Sequence, residues 1–320
     1  MNILVTGIAG FIGFHLASKL SEKHQVVGVD NFNDYYSVQL KKDRAKILTK
    51  KDITIYEEDI NNTDKLKEII QKHKITHIVH LAAQAGVRYS FDHPHEYVHS
   101  NISGFLSILE ALKTYPMPLI FASSSSVYGT NDTKIFSTKD LTDFPSNFYG
   151  ATKKANELMA YSYHHLYQIP MVGLRFFTVY GPFGRPDMAY FSFANKIMQE
   201  ETIDVYNHGK MQRDFTYIDD IVNGIIASID YAHGFDIFNL GNNSPVSLMK
   251  FIETLENSLG KKAKKNFLPM QQGEMVTTFA DIEESQKKLN YHPKTSIQEG
   301  LEKFANWHQS YFNKNEMLCK

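Results

Sequence analysis

The segment Thr6-Gly7-Ile8-Ala9-Gly10-Phe11-Ile12-Gly13 follows one short apolar run, Asn2 to Thr6, and leads into a helical pattern, Phe11 to Ser21. Three glycines in a G-x-x-G-x-x-G spacing at such a junction admit few folds. Glycine lets the backbone turn sharply and lie close to a pyrophosphate, and the helix that follows offers free N–H groups and the positive end of its dipole. The next apolar run, Gln25 to Asp30, ends in an acid. A carboxylate there can accept from both hydroxyls of an adenosine ribose and repels a 2′-phosphate. The loop residues Gly7, Gly10, Phe11, Ile12 and Gly13, with Asp30, therefore predict a dinucleotide site that takes NAD rather than NADP.

The rest of the chain keeps this rhythm. Strand-like runs at Ile53 to Tyr56, Ile75 to Leu81, Pro118 to Ser123 and Met171 to Phe176 alternate with helical patterns at Thr63 to His73, Val98 to Lys113 and Ser146 to Tyr167. Continuous apolar strands between helices predict an α/β fold, a Rossmann-type doubly wound parallel sheet covered on both faces. From about Gly181 prolines, glycines and aromatics become frequent. Short strands are expected at Ile203 to Tyr206 and Arg213 to Tyr217, and helices at Asp219 to Tyr231 and Leu248 to Leu259. Residues 1–180 are expected to form the NAD-binding domain with the reacting groups. Residues 181–320 are expected to form mainly a smaller C-terminal substrate-binding lid, with the chain crossing between the two.

Charge narrows the partners. The 34 Lys and Arg balance 35 Asp and Glu, which offers no attraction for nucleic acid or a membrane surface. Lys261-Lys262-Ala263-Lys264-Lys265 is short, lacks interleaved aromatics and reads as a solvated loop. Cys319 is the single cysteine, an exposed bystander that permits no internal disulfide, which suits a reducing cytoplasm. No apolar run reaches membrane-spanning length, and because Met1-Asn2-Ile3 leads straight into the first strand no signal peptide is expected. His93, His95 and His99 have a metal-like spacing, but no cysteine accompanies them and no metal is expected.

Chemistry enters with Tyr149 and Lys153. Residues four apart share one face of a helix, so the Lys153 ammonium is expected beside the Tyr149 phenol. A neighbouring cation favours the phenolate, and a phenolate near neutral pH is a general base. Ser123-Ser124-Ser125-Ser126 ends the fifth strand, where hydroxyls would face the same crevice as the nucleotide loop. Asp59-Ile60, after the third strand, could border an adenine. Leu81-Ala82-Ala83-Gln84 ends the fourth with small residues that let a cofactor lie against backbone.

These segments resemble the extended short-chain dehydrogenase/reductases, in the branch of nucleotide-sugar epimerases, over nearly the whole chain. The likeness is carried by the glycine loop, Asp30-Asn31, His80-Leu81-Ala82-Ala83, Ser124 with Val127-Tyr128-Gly129, Tyr149 with Lys153, Leu174 to Pro182, and Arg213 to Asp220. Gln84 to Ser90 and Gly184 to Met188 are similar to the UDP-glucuronate 4-epimerases.

The resemblance implies 4-epimerisation of UDP-glucuronate to UDP-galacturonate through a 4-keto sugar. Tyr149 is the implied base, Lys153 holds the nicotinamide ribose and Ser124 bonds the sugar 4-oxygen. NAD is implied as a tightly held cofactor, with Ser100 and Phe176 also beside it. The implied substrate contacts are Arg88, Ser124, Ser125, Ser126, Thr178, Arg185, Val205, Tyr206, Asn207 and Arg213. Dehydratases of the family carry Asp and Glu where this chain has Ser125 and Ser126, and the decarboxylases carry Glu at the Ser126 position. Both lose their proton shuttle here, so epimerisation without loss of carbon is expected. Another NAD-dependent UDP-sugar enzyme, acting on neutral or N-acetylated sugars or removing CO2, is the alternative. Gln271 and Thr278 stand near positions where galactose-type enzymes use Arg and Tyr on the diphosphate. The family also implies a homodimer paired through Val98 to Lys113 and Ser146 to Tyr167, and a product used in polysaccharide biosynthesis.

Overall fold

The structure is a computed structural model that describes residues 1–130, 135–270 and 276–318, with side chains up to residue 313. Gln271 and Cys319 lie outside these residues. Six strands follow the apolar runs: β1 Asn2–Thr6, β2 Gln25–Asp30, β3 Thr54–Glu57, β4 His77–His80, β5 Leu119–Ser124 and β6 Met171–Phe176. Six more follow: β7 Thr178–Tyr180, β8 Thr202–Val205, β9 Gln212–Tyr217, β10 Phe235–Leu240, β11 Pro245–Ser247 and β12 Lys264–Phe267.

The large sheet is wholly parallel, in the order β10-β6-β5-β4-β1-β2-β3. Parallel pairing needs a crossover between neighbours, and the helices that make those crossovers cover both faces. Behind one face Phe11, Phe14, Leu16, Ile221 and Ile225 belong to one apolar core. Behind the other, Ile69, Ile70, Phe105, Ile108, Leu109 and Ala160 belong to a second. Burial on both sides is why these strands read as apolar runs rather than alternating ones.

The chain crosses the expected boundary near Gly181 in both directions. β7 joins a three-stranded sheet, β11-β9-β7, outside the large one. β10 returns to pair with β6 in register from Phe235↔Met171 to Leu240↔Phe176. A two-stranded sheet, β12-β8, completes the outer part. The order of the large sheet reverses at β1, which has β2 on one side and β4 on the other. Helices leave from the carboxyl ends of those strands toward opposite faces, and a crevice opens there.

Candidate active site

A cleft of 980 Å³ runs along this crevice, at the upper end of the range of about 300–1,000 Å³ common for ligand sites. Every residue expected on the cofactor lines it: Gly7, Gly10, Phe11, Ile12, Gly13, Asp30, Asn31, Asp59, Ile60, Leu81, Ala82, Ala83, Gln84, Ser100, Tyr149, Lys153 and Phe176. So do Arg88, Ser124, Ser125, Ser126, Thr178, Arg185, Tyr206, Arg213 and Thr278. Val205 and Asn207 do not line it. Val205 is wholly buried in the apolar core, and Asn207 sits in a left-handed turn with φ 50°. Their neighbour Tyr206 takes the cleft-facing place, with the Arg88 guanidinium over its ring at 5.2 Å.

The glycine loop is shaped by close backbone approach. Gly7 has φ +69°, and a β-carbon there would stand 2.7 Å from the Ala82 nitrogen. A β-carbon on Gly13 would stand 2.2 Å from the Gly7 carbonyl oxygen. The helix Phe11–Leu20 starts from Gly10 with no side-chain cap. Its first-turn N–H groups lack intrahelical acceptors. Asp30 holds the loop from the second strand: Oδ2 accepts from the Ala9 N–H at 2.9 Å and Oδ1 from the Phe32 N–H at 2.9 Å. Burial raises its carboxyl above the usual range, and these backbone donors act against that shift.

At the other end of the cleft the helix Phe148–Tyr167 begins at Asn147, whose side chain accepts from the Gly150 N–H at 2.8 Å. That cap sets Tyr149 in the first turn, at the mouth of β5. Burial raises the Tyr149 phenol above its ordinary value, while a hydrogen bond with Ser124 and the charge of Arg185 lower it. Lys153 is buried and donates to the Ala122 carbonyl at 2.8 Å. Burial pushes its ammonium down to about 8. Lys153, one helical turn beyond Tyr149, is thereby hydrogen-bonded to β5.

Arg185 is paired through both nitrogens of its fork, Nε to Asp187 Oδ1 at 3.0 Å and Nη2 to Oδ2 at 2.5 Å. Burial works to strip its charge, but the Asp187 carboxylate holds the guanidinium above its ordinary value. Tyr35 donates to the same carboxylate at 3.1 Å, reaching across 152 positions of sequence. Thr178 opens β7 and Arg213 lies in β9, so adjacent strands of the small sheet carry both to one wall.

Tyr35, Lys41 and Asp187 line the cleft, and the sequence reading gave none of them a role. Lys41 is buried, held by the Asn33 carbonyl at 2.5 Å and side chain at 2.6 Å, and burial pushes it down to about 8. Asn101 follows the cleft-lining Ser100 in sequence. It sits in a π-helical turn, Val98–Ser103, and donates to the Gln84 carbonyl and the Thr152 hydroxyl, both at 3.0 Å. Wide turns of this kind mark functional helices, but no pattern of side chains announces one. Of the histidines with metal-like spacing, His93 stacks on Tyr89 at 3.9 Å and His99 meets Asp59 at 3.4 Å.

Fold and cleft together fit an enzyme that holds a dinucleotide, and comparison supplies the family. Residues 3–241 match the model of the NAD dependent epimerase/dehydratase family, and the chain belongs to it. Protein CapI of Staphylococcus aureus is 48% identical, over 98% of this chain and 100% of that protein. UDP-glucuronate 4-epimerase 4 of Arabidopsis thaliana is 46% identical, over 98% of this chain and 76% of that one. Among solved structures, UDP-glucuronic acid 4-epimerase from Bacillus cereus, in complex with UDP-glucuronic acid and NAD, superposes with a TM-score of 0.91. It is 37% identical, over 97% of this chain and 100% of that one.

The residues present fit the dinucleotide that the family uses. The loop leaves no space for side chains at Gly7 or Gly13, an uncapped helix end faces the cleft, and Asp30 stands at the end of β2. Gln84 is buried in the cleft wall, and its backbone N–H donates to the Asn101 side chain at 2.9 Å.

Proposed function

We propose that this protein is an NAD-dependent UDP-glucuronate 4-epimerase, interconverting UDP-glucuronate and UDP-galacturonate through a 4-keto sugar. The observation that carries this reading is the meeting of Tyr149, Ser124 and Arg185 in one cleft with the glycine loop. Relatives whose names state this activity align over nearly the whole chain.

When bound, NAD supplies reversible hydride acceptance at the sugar C4. The chain's own residues supply the rest. Gly7, Gly10 and Gly13 bring backbone N–H groups to the diphosphate, and Asp30 and Lys41 meet the adenosine ribose. Tyr149 removes the proton from the sugar 4-hydroxyl and later returns it, as the general base and then the acid. Ser124 donates its one hydroxyl hydrogen to the phenolate, or to the 4-oxygen when that atom carries the charge, and so favours whichever is charged. Lys153, buried behind them, holds the nicotinamide ribose. Thr178, Ser125 and Ser126 offer hydroxyls to the uronate carboxylate, and Arg185 offers a charge to it. Arg213 and Arg88 meet the UDP diphosphate. With serines at 125 and 126, no acid stands beside Ser124 to shuttle a proton for loss of CO2 or water.

Residues 181–320 mainly supply the substrate side of the cleft in this reading. Leu106, Leu158, Tyr161 and Leu166 are exposed on the two helices expected to pair, which supports a homodimer. A single cysteine and a balanced charge suit work in the cytoplasm. A nucleotide-activated uronate is a donor for glycosyl transfer, so the product would feed polysaccharide biosynthesis. The test is proton NMR of the purified protein with UDP-glucuronate and no added cofactor. UDP-galacturonate at constant total uronate is expected; a pentose product would replace this reading with decarboxylation.

A further inference from the structure

Arg44 lies on the helix Val38–Thr49 and is wholly buried, yet all of its hydrogen bonds go to neutral oxygens. Nη1 donates to the Ala9 carbonyl and the Tyr36 hydroxyl, both at 2.8 Å. Nη2 donates to the carbonyls of Phe183 at 2.7 Å and Gly184 at 2.9 Å. Nε has no partner among the described residues. Burying a cation on three carbonyls and a hydroxyl, with the Tyr36 ring at 5.5 Å and the Asp30 carboxylate reached only through its charge, carries a desolvation cost that an apolar residue anchoring the helix would not. What the guanidinium provides is geometry. Its flat fork ties together segments that stand 35, 139 and 140 positions from it in sequence.

Those segments are functional. Ala9 belongs to the glycine loop, and its N–H is already held by Asp30 at 2.9 Å. Gly184 immediately precedes Arg185, and it leaves no room for a side chain, since a β-carbon there would stand 1.8 Å from the Tyr190 hydroxyl. Beyond it, Asp187 grips Arg185 and accepts from Tyr35, the neighbour of the Tyr36 that Arg44 also holds.

We propose that Arg44 is a positioning residue that sets the Arg185 loop against the dinucleotide loop, so that Arg185 faces the sugar while the glycine loop keeps its cofactor-binding shape. This rests on the proposed contact of Arg185 with the uronate. Arg44→Lys keeps the charge and loses the fork. In the full chain, it should retain clearly less NAD through purification than the wild type. Its KM for UDP-glucuronate should rise about tenfold, the scale of one lost charged hydrogen bond. With Arg185→Gln already present, Arg44→Lys should add little to KM while still releasing NAD, because the two act through one contact. Structural damage alone would lower the melting temperature without making the KM effect depend on Arg185. KM effects that multiply in the double variant, or wild-type NAD retention in Arg44→Lys, would overturn the proposal. Should Arg44→Lys fail to fold, Tyr36→Phe removes one of the four bonds, and unchanged NAD retention and KM there would overturn it equally. A wild-type protein that holds NAD but leaves UDP-glucuronate unchanged defeats only the functional reading; NAD retention in Arg44→Lys then decides.

Discussion

Tyr149 and Lys153 are both pushed by burial toward their neutral forms, the phenol upward and the ammonium down to about 8. Each therefore depends on its immediate partners for charge at working pH. Tyr149→Phe removes the base and keeps the ring, so NAD should stay bound while turnover falls by about 10²–10⁴-fold. Co-purified NAD and product formation, measured on the same sample, check this, and a fully active variant would end the proposed mechanism. Lys153 predicts the alkaline side of the pH profile. Its ammonium is charged below about 8 and lost as pH rises through that value, so kcat/KM should decline there. A profile that stays flat to about pH 10, near the ordinary lysine value, would remove the ammonium from the reaction.

At the scale of elements, the helix that carries Tyr149 is tied to the sheet by a buried pair. Glu157, two turns beyond Tyr149, takes the Arg175 guanidinium of β6 through both oxygens at 2.8 Å and the Ser123 hydroxyl of β5 at 2.6 Å. Glu157→Ala would leave Arg175 charged and unpaired in the core, at a cost of about 3–5 kcal/mol. Urea unfolding would detect it, and a loss below about 1 kcal/mol, the size of a surface pair, would contradict the account. In the glycine loop, Gly13→Ala places a carbon 2.2 Å from the Gly7 carbonyl oxygen. The loop must then open, and the variant should purify with little NAD.

These elements differ in how much of them the sequence displays. Six of the seven strands of the large sheet and the glycine loop were legible because burial on both faces and a close backbone approach each leave a direct mark on residue type. The helix Val38–Thr49 was not. Two of its four buried residues are Lys41 and Arg44, so its inward face carries charge and shows no apolar stripe. β10 escaped because its edge position leaves Phe235, Asp236 and Ile237 only half buried, with a mixed pattern. Val205 adjoins the cleft-lining Tyr206 in sequence, but it ends β8 with its side chain in the core, and Tyr206 opens the tight helical turn that follows.

In the whole molecule, Leu106 and Leu158 stand 42% and 59% exposed on helices that cover one face of the sheet. Should those helices pair two chains, Leu158→Glu would place a charge in the seam. Light scattering at micromolar concentration should then show the wild type as a dimer and the variant shifted toward monomer; a monomeric wild type removes the pairing.

The return of β10 to the outer edge of the large sheet has a consequence for synthesis. β6 ends at Phe176, and its partner strand ends at Leu240. A ribosome must therefore deliver the whole intervening stretch before that edge is closed. Until then the nascent chain presents an unpaired strand to solvent, the kind of surface that recruits other strands. A fragment that stops after residue 180 would never leave that condition and should aggregate. The chain is in this sense a single unit of biogenesis, whatever division its cleft suggests.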